Sequence, residues 1–167
     1  MKVEYINPFV TSTRSVFATM LGWEITRGAP FVKNSDQPHH DVSGVIGLSG
    51  KAKGTIVLSL DREVALAATE ALLGERPAEI GEEVVDAVGE LANMIAGGAK
   101  AQLEQFAMRV SLPTVITGKS HTVQFPSRAT QIAIPFESEA GPLMVEFGLV
   151  EQSTEESDTT EAATAER

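Results

Sequence analysis

Residues 82–106, EEVVDAVGELANMIAGGAKAQLEQF, restrict the possible folds more than any other stretch. Val84, Val88, Leu91, Ile95, Ala99, Leu103 and Phe106 recur at helical spacing and fall on one stripe. Asp86, Glu90, Asn93 and Gly97 keep the same period on the opposite stripe. At about 100° per residue these four lie within roughly 60° of one another, half a turn from the apolar centre. One long helix therefore packs one face into a core and presents an acid, an acid, an amide and a glycine in a row.

The remainder reads as helices and strands in blocks. Asn7 as cap and Pro8 as first residue open a helix whose apolar face is Phe9, Thr13, Val16, Phe17, Met20 and Leu21, ended by Gly22. Residues 23–31 read as a short extended edge, and 34–41 (NSDQPHHD) as a polar loop. Residues 42–48 and 54–60 are apolar β-like runs joined as a hairpin, with Lys51 and Lys53 solvating its tip. Asp61 caps a second helix through Leu73, with Ala65, Leu66, Ala68, Thr69, Leu72 and Leu73 on its buried side. After the long helix, residues 112–117, 121–125, 129–136 and 142–150 are strand-like between Gly and Pro breaks. Residues 46–58 are echoed about half a chain later by 134–145. Two pseudo-repeated helix–strand–strand units around a largely antiparallel sheet, with long helices packed on it, account for this pattern: an α+β fold.

Charge and composition exclude several partners. The net charge of −10 argues against nucleic acid and against an anionic membrane surface. Residues 151–167 carry six carboxylates against Arg167, half of that excess, and have no large apolar side chain. This predicts a folded domain over 1–150 and an acidic disordered tail over 151–167. There is no cysteine, so disulfides, thiol chemistry and Cys-based metal sites are excluded. No leader-like or bilayer-length apolar run is evident, and the expected location is the cytoplasm.

The motifs for nucleotide binding, zinc proteolysis and serine hydrolysis are missing. Gly47-Leu-Ser-Gly50 holds a serine, but in a hairpin rather than a strand-to-helix turn. His39 and His40 read as solvated loop histidines, since no further His or Cys supports a metal site, and no metal is expected. An exposed Asp, Glu and Asn on a helix is ordinarily wet surface. Here, however, the row is flanked by Gly89, Gly97 and Gly98, each costing roughly 1 kcal/mol of helix propensity relative to Ala. Missing side chains let another backbone approach, from a partner or from a neighbouring element of the same fold. Gly98 suits internal packing; Gly97, on the stripe of Asn93, suits it less well.

The pattern Asp86-x-x-x-Glu90-x-x-Asn93 followed by Pro113 resembles the signature of the CheC/CheX/FliY phosphatases of bacterial chemotaxis, most closely the single-site CheX-like form. The resemblance extends over most of residues 4–150, through Asn7-Pro8-Phe9, the 42–47 and 54–60 runs, Pro113-Thr-Val-Ile-Thr-Gly118 and Ile134-Pro-Phe. The Asn93-to-Pro113 gap is slightly shorter than the family pattern. The first helix has Ser12, Val16 and Thr19 where a second site would need Glu and Asn. The resemblance implies one site per chain that hydrolyses the phosphoaspartate of a CheY-like response regulator. It implies that Asn93 orients the attacking water and Glu90 pairs with the regulator's active-site lysine, with Asp86 and Gly97 as partner contacts. It implies no cofactor of the chain's own, Mg2+ carried by the regulator, and a homodimer that continues the sheet. The rival reading is a non-catalytic adaptor that binds regulators or switch proteins through the same helix face or a sheet edge.

Overall fold

The computed structural model describes residues 3–34 and 37–153. Helix α1 (Ile6–Val16) runs into a wider π turn (Phe17–Leu21) and stops at left-handed Gly22. Strands β1 (Thr26–Arg27) and β2 (Phe31–Val32) follow, then the hairpin of β3 (Val42–Ser49) and β4 (Ala52–Leu60). Helices α2 (Arg62–Leu73) and α3 (Glu82–Ala101) lead to β5 (Arg109–Val110), β6 (Thr114–Thr117), β7 (Ile132–Ser138) and β8 (Gly141–Glu151).

Among the described residues the strands form one antiparallel sheet in the order β1-β7-β8-β4-β3-β5, with β2 also on β7 and β6 also on β3. The centre is the long β4–β8 pair, flanked by its own hairpin partners β3 and β7. The order is the same read from either edge. The expected two helix–strand–strand units are therefore present, but interlaced. The short strands after α1 pair with β7 of the second unit, and those after α3 pair with β3 of the first.

Alternation along the strands divides the sheet into two faces. Ile46, Ile56, Leu58, Leu60, Ile134, Phe136, Leu143, Val145 and Phe147 share the core with the helices. Phe9 of α1 stacks on Phe147 of β8 at 3.9 Å between ring centroids. Gly44 of β3 is where α3 comes closest: a Cβ there would sit 2.7 Å from Ala92 Cβ and 3.2 Å from the Val88 carbonyl. Gly44 thus sets how closely α3 lies on the sheet.

The opposite face is covered by two loops. Ser43, Ser59, Val57, Glu146 and Ala133 lie there, all buried. Glu146 is 0% exposed and accepts from Lys33 Nζ (2.5 Å), His39 Nε2 (2.8 Å) and Gln131 Nε2 (2.7 Å). His121 stacks on His39 and bonds to the Ser43 hydroxyl, which bonds to Ser59, which accepts from the His40 backbone N–H. His39 is therefore not the solvated loop residue expected from sequence. Its ring is held inside by a carboxylate from a strand more than a hundred positions away, a partner that local polarity does not reveal. Burial by itself would push the Glu146 carboxyl up, but the hydrogen bonds from His39 and Lys33 outweigh it and hold the group below its ordinary value.

Other local differences have simple causes. Tyr5 precedes α1 with no side-chain cap, and Asn7 lies within the helix rather than before it. Tyr5 instead donates to Glu151 Oε1 (2.6 Å) and meets Phe106 edge-to-face, which ties the first turn to the end of β8; its hydroxyl is pushed up to about 12, chiefly by that hydrogen bond. Asp61 caps α2 as expected, accepting from the Glu63 N–H, and Gly74 ends it left-handed. Leu73, however, is exposed at the end of α2. Helix α3 stops at Ala101; Leu103 and Phe106 reach the same core from a loop and a 3-10 turn. Residues 121–125 are part of the covering loop rather than a strand. The disordered tail expected from residue 151 starts too early: Glu151 ends β8 and takes the Tyr5 hydrogen bond, and the Gln152 N–H donates to the Lys51 carbonyl. From residue 154 onward the expectation lies outside the described residues.

Candidate active site

Helix α3 is enclosed on three sides. Beneath it lie β3 and the apolar core, where Val84, Val88, Leu91, Ile95 and Ala99 are all 0% exposed. On one flank runs α1. The Ser12 hydroxyl donates to the Ile95 carbonyl at 2.8 Å, and a Cβ on Gly98 would lie 2.3 Å from the Ser12 oxygen. On the other flank, a Cβ on Gly89 would touch Val115 at 3.4 Å and Pro113 at 3.5 Å. Only the fourth side faces outward, and it carries the row read from the sequence.

Asp86 and Glu90 are exposed there, and Asn93 and Gly97 half-exposed. Among the described residues none of the three polar side chains of this row makes a hydrogen bond or ion pair within the chain. Nothing lies within 4 Å of where a Gly97 Cβ would be. The three flanking glycines therefore differ. Gly98 serves the α1 contact and Gly89 the β6 contact, while Gly97 leaves the outer face bare. The acid and the amide project from a rigid, well-packed element, the condition a precise polar contact requires. Among the described residues no group of three or more His, Asp or Glu is arranged to hold a metal ion, and no helix is long and apolar enough to cross a membrane.

Of the three positions in the first helix where a second site would stand, two are spent internally, and Thr19 is exposed and donates back to the Ser15 carbonyl. Ser12 and Val16 are buried, Ser12 against α3 itself. Sequence reasoning singled out Pro113 but not the residue before it. Leu112 is 89% exposed on the loop that ends beside Gly89. Its position in an apolar run, Val110-Ser-Leu-Pro-Thr-Val-Ile, reads as core, and only the packing reveals that it points outward.

The glycines make opposite predictions. Gly98→Ala drives a methyl into Ser12 and should lower stability by about 1–3 kcal/mol. Gly97→Ala meets open space in a helix interior and should raise it by roughly 0.5–1 kcal/mol. Denaturant unfolding of both variants checks this; equal effects would contradict the packing described.

Comparison with known proteins agrees with this architecture. Solved structures of the CheC-like superfamily share the fold: the chain superposes on the CheC-like superfamily protein of Shewanella sp. PV-4 with a TM-score of 0.83 at 37% identity, covering 90% of this chain and 99% of that one. The CheX of Borrelia burgdorferi, solved as a CheX–CheY–BeF3–Mg2+ complex, matches with a TM-score of 0.77 at 26% identity over 90% of this chain and 100% of that one. The CheY-P phosphatase CheX of Thermotoga maritima is 30% identical over 122 residues, 71% of this chain and 79% of that protein. The model of the chemotaxis phosphatase CheX family matches residues 42–137. The chain belongs to the CheX family of chemotaxis phosphatases.

Proposed function

We propose that this chain is a phosphatase that hydrolyses the phosphoaspartate of a CheY-like response regulator in chemotaxis signalling. The observation that carries the reading is the outward Glu90–Asn93 pair, a turn apart on a helix packed on its other three sides, in a chain of the CheX family. A relative named for CheY-P hydrolysis and another solved with CheY and BeF3 support it.

Phosphoryl transfer to water needs positioning and charge compensation more than covalent help. In the proposed reaction a water oxygen attacks the phosphorus, the bond from phosphorus to the regulator's aspartate oxygen breaks, and carboxylate and inorganic phosphate leave. Asn93 holds the water in line. Its amide both accepts and donates and does not titrate, so it orients the nucleophile without changing charge. Glu90 forms a charge-assisted pair with the regulator's active-site lysine and fixes the docked geometry. The regulator brings the Mg2+. Asp86 contacts the rim of the docked partner, and bare Gly97 lets the partner's backbone come close. The residues through the end of β8 act as the phosphatase domain, in the cytoplasm, with the acidic residues beyond it as an appendage.

Adding the protein to a phosphorylated CheY-like receiver should speed the release of inorganic phosphate. Binding of the phosphorylated receiver with an unaltered decay rate would leave the adaptor reading in its place. The same reading includes a homodimer that extends the sheet. The β2 edge supports it, because Phe31 and Val32 are 42% and 65% exposed on an edge strand, where an unpaired apolar border invites a second copy. Sedimentation of the full chain should give a dimer mass, and a monomer at high concentration would remove this part of the reading.

A further inference from the structure

The loop between β5 and β6 holds a large apolar side chain in solvent beside the Asn93 flank of α3. An isolated exposed leucine is commonplace on protein surfaces. Leu112 differs from that case in how firmly its backbone is fixed. The Ser111 N–H donates to the Gly47 carbonyl at 2.9 Å, and the Gly47 N–H donates to the Ser111 hydroxyl at 2.9 Å. That hydroxyl in turn donates to the carbonyl of Leu112 at 2.9 Å. On the other side, Pro113 restricts the residue before it to extended backbone and packs where Gly89 has no side chain. Both neighbours of Leu112 are thus anchored, one to the middle of β3 and one to α3, while the leucine itself is 89% exposed.

On the helical wheel Gly89 sits about 40° from Asn93, on the side away from Glu90. Pro113 and Leu112 therefore border the polar row on its Asn93 side. An apolar group on a fixed backbone next to a polar pair is the arrangement of an interface anchor: the loop that carries it is already ordered, so binding costs only the leucine's own rotamer freedom.

We propose that Leu112 is a docking anchor for the receiver domain of the phosphorylated response regulator, seated in an apolar depression of that domain beside its phosphorylation site. This rests on the phosphatase reading of the Glu90–Asn93 face. It adds an affinity-determining residue that takes no part in the chemistry.

The test is to titrate the full-length chain and its Leu112→Ser and Leu112→Met variants against a CheY-like receiver loaded with beryllofluoride and Mg2+, and to measure phosphate release at saturating phosphorylated receiver. Leu112→Ser should raise Kd about tenfold and leave kcat within about twofold, as expected for an apolar anchor. Leu112→Met should restore most of the affinity. An unchanged Kd for Leu112→Ser, or a lowered kcat with unchanged Kd, would overturn the proposal. Because affinity is read without turnover, a parent protein that binds but does not accelerate phosphate release would defeat the phosphatase reading and leave the anchor in place. A parent that does not bind would defeat both.

Discussion

Asn93→Ala is expected to slow dephosphorylation of the regulator at least about a hundredfold and leave the folded protein intact. The carboxamide makes no hydrogen bond within the chain among the described residues, and its side chain is half-exposed on the outer face of α3. Removing it opens no cavity and strands no buried partner, so the unfolding free energy should change by no more than about 0.5 kcal/mol, with alanine's better helix propensity acting in its favour. The loss should fall on kcat, since the amide is assigned to the water rather than to docking. Glu90→Ala should behave differently and raise KM roughly tenfold through the lost charge-assisted pair. Phosphate-release kinetics over a range of phosphorylated regulator separate the two. An Asn93→Ala protein with the parent's kcat would end the catalytic assignment, whatever happened at Glu90.

Glu146→Ala is expected to cost about 3–5 kcal/mol of stability, the scale for breaking a buried ionic cluster from one side. The carboxylate is fully buried and accepts from Lys33, His39 and Gln131, so removing it leaves the lysine with only a long 3.5 Å bond to the Pro38 carbonyl and takes the carboxylate acceptor from the imidazole and the amide. Denaturant unfolding should show the fall in midpoint. A loss below about 1 kcal/mol would mean that the covering loops rearrange freely, contrary to the packing described.

The same cluster sets a pH dependence. The Glu146 carboxyl is lowered in the fold, so its contribution is present above its unfolded value and is lost as pH falls toward the folded one. His40 is lowered from 6.5, first by burial, so the unfolded chain binds its proton more readily and acid again favours unfolding. Stability should therefore decline as pH drops from neutrality, beginning at the histidine and steepening in the carboxylate range. Glu146→Gln should flatten the lower part of the curve.

How much was legible beforehand follows from where each signal lives. The α3 row, the β3–β4 hairpin and the Asp61 cap of α2 are local periodicities or local hydrogen bonds, and each appears where the residues put it. The partition of the three glycines was only half legible. Gly98 reads as packing, but that its neighbour is Ser12 of α1 depends on how two helices cross. The Glu146 cluster was invisible for a similar reason. One carboxylate in the run Leu143-Met-Val-Glu-Phe looks like a solvent-facing position of a half-buried strand. Only the two loops that close over that face turn it into a buried anion, and their course is set by pairing across the whole chain. The exposure of Leu112 belongs with these: its burial is decided by Ser111 and Pro113 gripping two different elements.

The exchange of edge strands between the two halves reaches beyond the finished molecule. As the polypeptide emerges during synthesis, β1 and β2 have no place to settle until β7 has been made, since among the described residues both pair with that strand of the far half. Until then these short strands stay unpaired, and completing the sheet depends on contacts distant in sequence, which slows folding.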